Sequence, residues 1–263
     1  MRLYWEVART TVRRLTTYRG ATVAGILTNT VFGFLIAYVI AAVFEARPEI
    51  GGYDLTDALT YTFVTQGMLM AVGMFGDMEM AERVRTGDVT VDLFRPYDFQ
   101  AWWAATSYGR AAFYAAVRGV PPFLVGALAF DLRLPDAAWV WPAYLGSLAL
   151  AVGVGFAWSF LLQLSVFWIL DVRGPVQVGW ITANLLSGML VPLVLLPDGL
   201  ERVVRALPFA ALIQVPVDVF LGKHRGLDLL AAYGFQLAWL IVLVAAGRAV
   251  LARAERRVVV QGG

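Results

Sequence analysis

The sequence has no cysteine, which excludes disulfides, thiol nucleophiles and thiolate metal sites. Its single histidine, His224, excludes any multi-histidine metal site and the paired-histidine helix of a membrane metalloprotease. No phosphate-binding loop is present: the one Gly-Lys pair, Gly222-Lys223, lacks the upstream glycine and is followed by His224. A Ser–His pair for intramembrane hydrolysis is missing too, because His224 falls in a polar connection rather than beside Ser187 on an apolar helix. Charge is also scarce, at 15% of residues against about 25% in soluble domains. The net charge of +2 is too small to argue for a nucleic-acid partner. The expectation is a chain with no catalytic residues, no metal, no cofactor of its own and no enzymatic activity.

What remains is apolar. Of 263 residues, 60% are hydrophobic and 13% aromatic. A globular fold of this length cannot hide that much apolar surface, whereas a bilayer has no need to. A helix needs about 20 residues to cross the hydrocarbon. Six stretches meet that length: 21–44, 55–75, 107–130, 139–169, 178–196 and 229–251. The third carries Arg110, Arg118 and Pro121-Pro122; were it interfacial, five spans would remain. The expected fold is therefore an all-α membrane protein of six transmembrane helices. Residues 1–20 form an interfacial helix of their own, and 21–263 form a single transmembrane domain. Arginines concentrate at 2–19, 83–95 and 248–257, which places both termini in the cytoplasm.

At 100° per residue, Arg2, Arg9 and Arg13 share one face of residues 1–20, opposite Tyr4, Val7, Ala8, Thr11 and Leu15. That amphipathic pattern suits a helix lying in the membrane interface. Between the second and third spans, Asp77 to Arg85 predicts a short cytoplasmic helix. Met80, Ala81 and Val84 fall on one side of it, and Glu79, Glu82, Arg83 and Arg85 on the other. Glu79 and Arg83 are spaced i, i+4, and Gly87 stands where a left-handed cap belongs. The charged side is either a docking face or a solvated loop. Between the fifth and sixth spans, Pro192, Pro197, Pro208 and Pro216 interrupt an apolar run. Irregular backbone of that kind predicts short helices dipping back into the outer leaflet.

Polar residues inside the spans are few. Arg118, near the middle of the third, is either a cavity-lining cation or a residue that snorkels. Gln66, Gln163 and Asn184 either line a pathway or bond helix to helix. Ala149, Ala151, Gly153 and Gly155 give small-residue spacing for close packing. With no intramembrane carboxylate pair, a proton- or sodium-driven mechanism lacks its usual groups, and the driving force is expected from elsewhere.

Glu79 to Gly87 followed by Val91-Asp92-Leu93-Phe94-Arg95-Pro96 resembles the segment after the second span in permease subunits of type-2 ATP-binding-cassette exporters. Ser187-Gly188-Met189-Leu190-Val191-Pro192-Leu193, with Leu196-Pro197 and Leu207-Pro208-Phe209, resembles their fifth-span and re-entrant region. The order of elements along the whole chain is similar as well, and resembles that of bacterial permeases that come as paired subunits. The resemblance implies a helix coupling to an ATPase at Glu79, Glu82, Arg83, Arg85 and Gly87. It also implies partner ATPase subunits holding ATP and magnesium, and a second permease, identical or homologous. The location it implies is the bacterial cytoplasmic membrane, among lipid, with export as the activity; the apolar character of the spans favours an amphipathic or hydrophobic small molecule as the substrate. The alternative is an ATP-independent carrier or channel.

Overall fold

A computed structural model describes residues 2–73, 78–169 and 171–256. Helix α1 (Arg2–Leu15) precedes α2 (Arg19–Ala46). Helix α3 (Leu55–Met68) is followed by two short helices, α4 (Glu79–Arg85) and α5 (Val89–Phe94). Helix α6 (Phe99–Ala129) is continuous but contains a π turn at Ala115–Gly119. Helix α7 (Val140–Leu164) ends in a 3₁₀ turn, Ser165–Phe167, and α8 runs over Arg173–Leu186. Helices α9 (Asp198–Ala206) and α10 (Gln214–Phe220) belong to a pair bent by 73°. Helix α11 (Leu227–Glu255) ends the described chain.

Among the described residues, four helices are long and apolar enough to cross a membrane alone: α2, α6, α7 with its 3₁₀ turn, and α11. The bent α9–α10 pair makes five if it is taken as one span. The six-span expectation is thus met only in part. The second and fifth stretches form 14-residue helices, about 21 Å long against a hydrocarbon core of about 30 Å. The predicted second span continues to Phe75, but the helix stops at Met68 and turns through Gly73, whose φ is +74°. Residues 74 and 75 lie outside the described residues. In the fifth stretch, Gly188 at φ +87° leads the chain out of the helix, and Pro192 lies beyond it. The third begins eight residues earlier than expected, at Phe99, because Asp98 caps the helix by accepting from the Ala101 amide at 2.7 Å.

Glycines set the close crossings. A Cβ on Gly67 would stand 3.1 Å from the Cα of Gly119, so α3 and the π turn touch backbone to backbone. The Phe63 ring lies against both Gly33 of α2 and Gly126 of α6. Of the small residues singled out on α7, Ala151, Gly153 and Gly155 are buried, whereas Ala149 is exposed and its backbone carbonyl accepts from the Tyr108 hydroxyl at 3.0 Å. Ser147 and Gln236 exchange hydrogen bonds between α7 and α11, where both are fully buried. On α1 the predicted apolar face is the one used: Val7 and Thr11 are buried, and Ala8 meets the backbone of α6 at Gly109. That face packs on protein rather than into lipid.

Candidate functional site

Helix α4 sits against the end of α7 and the start of α8. Ala81 packs with Val166, Val172 and Val176, Met80 joins the main core, and Val84 is half-buried between them. The predicted apolar side is therefore the buried one. Gln163 of α7 fastens it: its Oε1 accepts from the Ala81 amide at 3.2 Å, and its Nε2 donates to Ser159. Gly87 has φ +84° and its amide donates to the Val84 carbonyl, giving the expected end of the helix. Asp77, the first residue of the predicted helix, lies outside the described residues.

The charged side departs from expectation. Glu79 does not pair with Arg83; it receives both guanidinium nitrogens of Arg14 at 2.9 and 3.0 Å, and Arg110 of α6 approaches at 3.6 Å. Arg83 turns to the buried Asp92, bound at 2.5 and 3.0 Å, and Arg95 adds a contact at 3.8 Å. A bidentate fork holds a carboxylate better than an exposed i, i+4 pair does. Only Glu82 and Arg85, joined at 3.1 Å, keep the exposed face that a docking helix requires.

The hydrogen bonds from Arg14 hold the Glu79 carboxyl below the ordinary glutamate range, against an opposing effect of burial. A lowered folded-state pKa stabilises above the unfolded value, and the stabilisation is lost as pH falls through the folded value. The link between α1 and α4 is thus expected to hold at neutral pH and to loosen in acid below the ordinary glutamate pKa. Acid titration of a spin-label pair on α1 and α4 checks this: Glu79→Gln should show the loose distance at every pH.

Two cavities adjoin this junction. One, of about 490 Å³, lies between α1, the α4–α5 loop and α6, against Arg14, Glu79, Arg95, Trp102 and Trp103. The other, of about 190 Å³, lies where the chain unwinds after α3, at residues 70–73. Ser107, Arg110 and Tyr114 of α6 border it, with Gly155 and Ser159 of α7. Gly155 permits this, since a Cβ there would run into the Val72 carbonyl.

The four intramembrane candidates lie elsewhere; none is in the lining of either cavity. Arg118 donates to the Ala21 carbonyl at 2.5 Å and lies 5.3 Å from the Tyr114 ring centre, seated against Gly25. The backbone carbonyl of Gln66 accepts from the Asn29 side chain of α2 at 3.2 Å. Asn184 donates to the Trp180 carbonyl at 2.8 Å within α8. Gln163 serves the α4 junction.

At the opposite end stands a polar network that the sequence reading missed. Asp57, 1% exposed in the first turn of α3, accepts from Arg133 and from Lys223, the latter at 2.6 Å. Arg133 also binds Asp54 at 2.7 Å, and Asp54 and Asp57 form a capping box. Asp218, 5% exposed on α10, accepts from the Tyr53 hydroxyl and from Gln214 at 2.9 Å, with Arg205 at 3.4 Å. Gln214 Oε1 in turn accepts from the Leu193 amide and the Tyr61 hydroxyl. Carboxylates are thus buried after all, each held by cations. The signal was an acid inside an apolar stretch: Asp57 within 55–75, and Asp218 within the run from Phe209 to Leu221.

No curated protein and no solved structure matches the chain. Residues 27–262 do match the family described as ABC-2 family transporter protein, from early in α2 to beyond the end of α11. That family's permeases work with an ATP-binding-cassette ATPase, and the helices described above suit a multi-pass membrane protein. The chain belongs to the ABC-2 transporter family and is a membrane permease of an ATP-binding-cassette transporter.

Proposed function

We propose that this permease forms half of the pathway of an ATP-driven exporter of amphipathic molecules, and that α4 is the helix on which the ATPase acts. The observation that carries the reading is the wiring of α4. Seven residues long, it is tied to α1 through Arg14, to α6 through Arg110 and to α7 through Gln163, while Glu82 and Arg85 face outwards. A push on the exposed face is delivered to three membrane helices at once. ATP and magnesium belong to separate ATPase subunits, so this chain carries no catalytic step. A second permease, identical or homologous, completes the pathway.

In this reading the chain crosses the bacterial cytoplasmic membrane six times with both termini inside. The second crossing is α3 plus the turns to Gly73; the fifth is α8 plus the irregular segment leading towards α9. The bent α9–α10 pair is then a re-entrant cover on the outer side.

Purification of a tagged chain from its native membrane is expected to bring down the ATPase. Reversing the exposed charges, Glu82→Lys with Arg85→Glu, should cut recovery of the ATPase at least ~10-fold, since an interface of small area depends on a few central contacts. The internal Arg14–Glu79 link is untouched by that change. Equal recovery with both variants present removes α4 as the contact, and transport that continues without ATP removes the ATP-driven reading.

A further inference from the structure

Helix α1 turns a different chemistry to each of its sides. Val7 and Thr11 are buried on the side that packs against α6. Leu3, Glu6, Thr10 and Arg14 border the larger cavity, which the α4–α5 segment closes with Glu79 and Asp92. At 100° per residue, Arg2, Arg9 and Arg13 fall within about 40° of one another, nearly opposite the buried pair. All three are exposed. Trp5 and Val12 flank this row on the side away from the cavity, and Trp5 is 69% exposed.

Connectivity fixes what lies beside that flank. Thr16, Thr17 and Tyr18 alone separate α1 from α2, a helix long and apolar enough to cross the bilayer. Val23 and Leu27, in the first turns of α2, are exposed and so meet hydrocarbon. Tyr18, at the joint, is 65% exposed, as suits an aromatic ring at the level of the headgroups. The carboxyl end of α1 is therefore held at the bilayer surface. A tryptophan ring is well placed there, with one edge in an apolar phase and the other wet. Arginines beside it are attracted to a surface of negative charge. Because α6 already covers the apolar face of α1, lipid is met by the opposite one.

We propose that the face formed by Arg2, Trp5, Arg9 and Arg13 binds anionic phospholipid headgroups in the leaflet at the start of α2. This goes beyond the permease reading and does not rest on the ATPase. Arg14 of the same helix holds Glu79 of α4, so the charge of the leaflet bears on where α4 sits.

The lack of cysteine allows a single label to be placed at will. Val12→Cys and Thr10→Cys, each in the full chain and carrying a nitroxide, are put into two kinds of vesicle. One is phosphatidylcholine alone, and the other adds an equal part of phosphatidylglycerol. Collision with oxygen, which dissolves in lipid, against a neutral nickel complex, which stays in water, reads the depth of each label. With phosphatidylglycerol present the oxygen-to-nickel ratio at Val12 is expected to rise ~3-fold or more, since each arginine adds to the attraction. Thr10, on the cavity side, should change little. Arg2→Gln, Arg9→Gln and Arg13→Gln together should abolish the rise, and none of them is the arginine that holds Glu79. Should that triple variant fail to fold, salt decides on the unaltered arginines: at about 1 M, where screening acts within about 3 Å, the rise should vanish. An equal Val12 ratio in the two vesicles, a rise that survives in the folded triple variant, or one that survives salt overturns the proposal. So does shielding of Val12 that appears only with the ATPase bound, which would make the face a protein contact. The vesicles need no ATPase, so loss of the ATPase in co-purification would overturn the ATP-driven reading and leave this result standing.

Discussion

Asp57→Ala is expected to be the most destabilising single substitution in the network at the start of α3, costing about 4 kcal/mol. Two contributions add. Breaking a buried ion pair from one side costs about 3–5 kcal/mol, and the low end applies because Arg133 and Lys223 are about a third exposed and can turn to water. Loss of half the capping box at the start of α3 contributes about 1 kcal/mol more. Lys223→Met should cost far less, since its partner keeps Arg133 and the lysine was never fully buried. Thermal unfolding in detergent for both single variants and the double variant measures the coupling between them. Additive losses would mean that Asp57 and Lys223 do not hold α3 to the segment after α10.

Asp218→Ala is expected to cost about 3 kcal/mol by a different route. Arg205 keeps Glu201 at 2.7 Å, so no cation is stranded. The loss falls on neutral groups: the Tyr53 hydroxyl, deep in the core, loses its acceptor, and one amide hydrogen bond of Gln214 goes with it. Each such orphaned group costs about 1–3 kcal/mol. Asp218→Asn preserves an acceptor and should cost only about 1 kcal/mol. The comparison of the two variants by denaturation is diagnostic: equal losses would show that the negative charge, and not hydrogen-bond satisfaction, is what Asp218 supplies.

These two networks show where the sequence was readable. Apolar runs placed α2, α6, α7 and α11, because hydropathy over about 20 residues reports burial in lipid directly. The same measure could not see that α3 stops at Met68 or α8 at Leu186. Residues 69–73 and 189–196 are as apolar as a helix, and only Gly73, Gly188 and Pro192 mark the break. The apolar side of α4 and the cap at Gly87 followed from local spacing. Its ion pairs did not, because the i, i+4 partner Arg83 competes with partners 65 residues away for Glu79 and nine residues away for Arg83. Spacing along a helix ranks neighbours; it carries no information about Arg14. Arg118 was singled out for its depth in the sequence, whereas Arg110, about two turns before it on the same helix, is the one of the two that meets a cavity. A charge near the membrane centre and a charge beside a wet space are different properties, and only the second depends on how α3 unwinds.

The wide turn at Ala115–Gly119 divides α6 into two registers. A turn closed at i to i+5 carries one residue more than its α-helical counterpart. On the amino-terminal side of it lies Arg110 beside the cavity; on the carboxyl-terminal side lies Gly126 beneath the Phe63 ring. With 3.6 residues per turn, removing one residue here would rotate one half against the other by about 100°. Both faces could not then remain in place. Deleting one residue between Arg110 and Gly126 is accordingly expected to unseat one of these two contacts, so the distance in residues from the arginine to the glycine matters as much as either side chain.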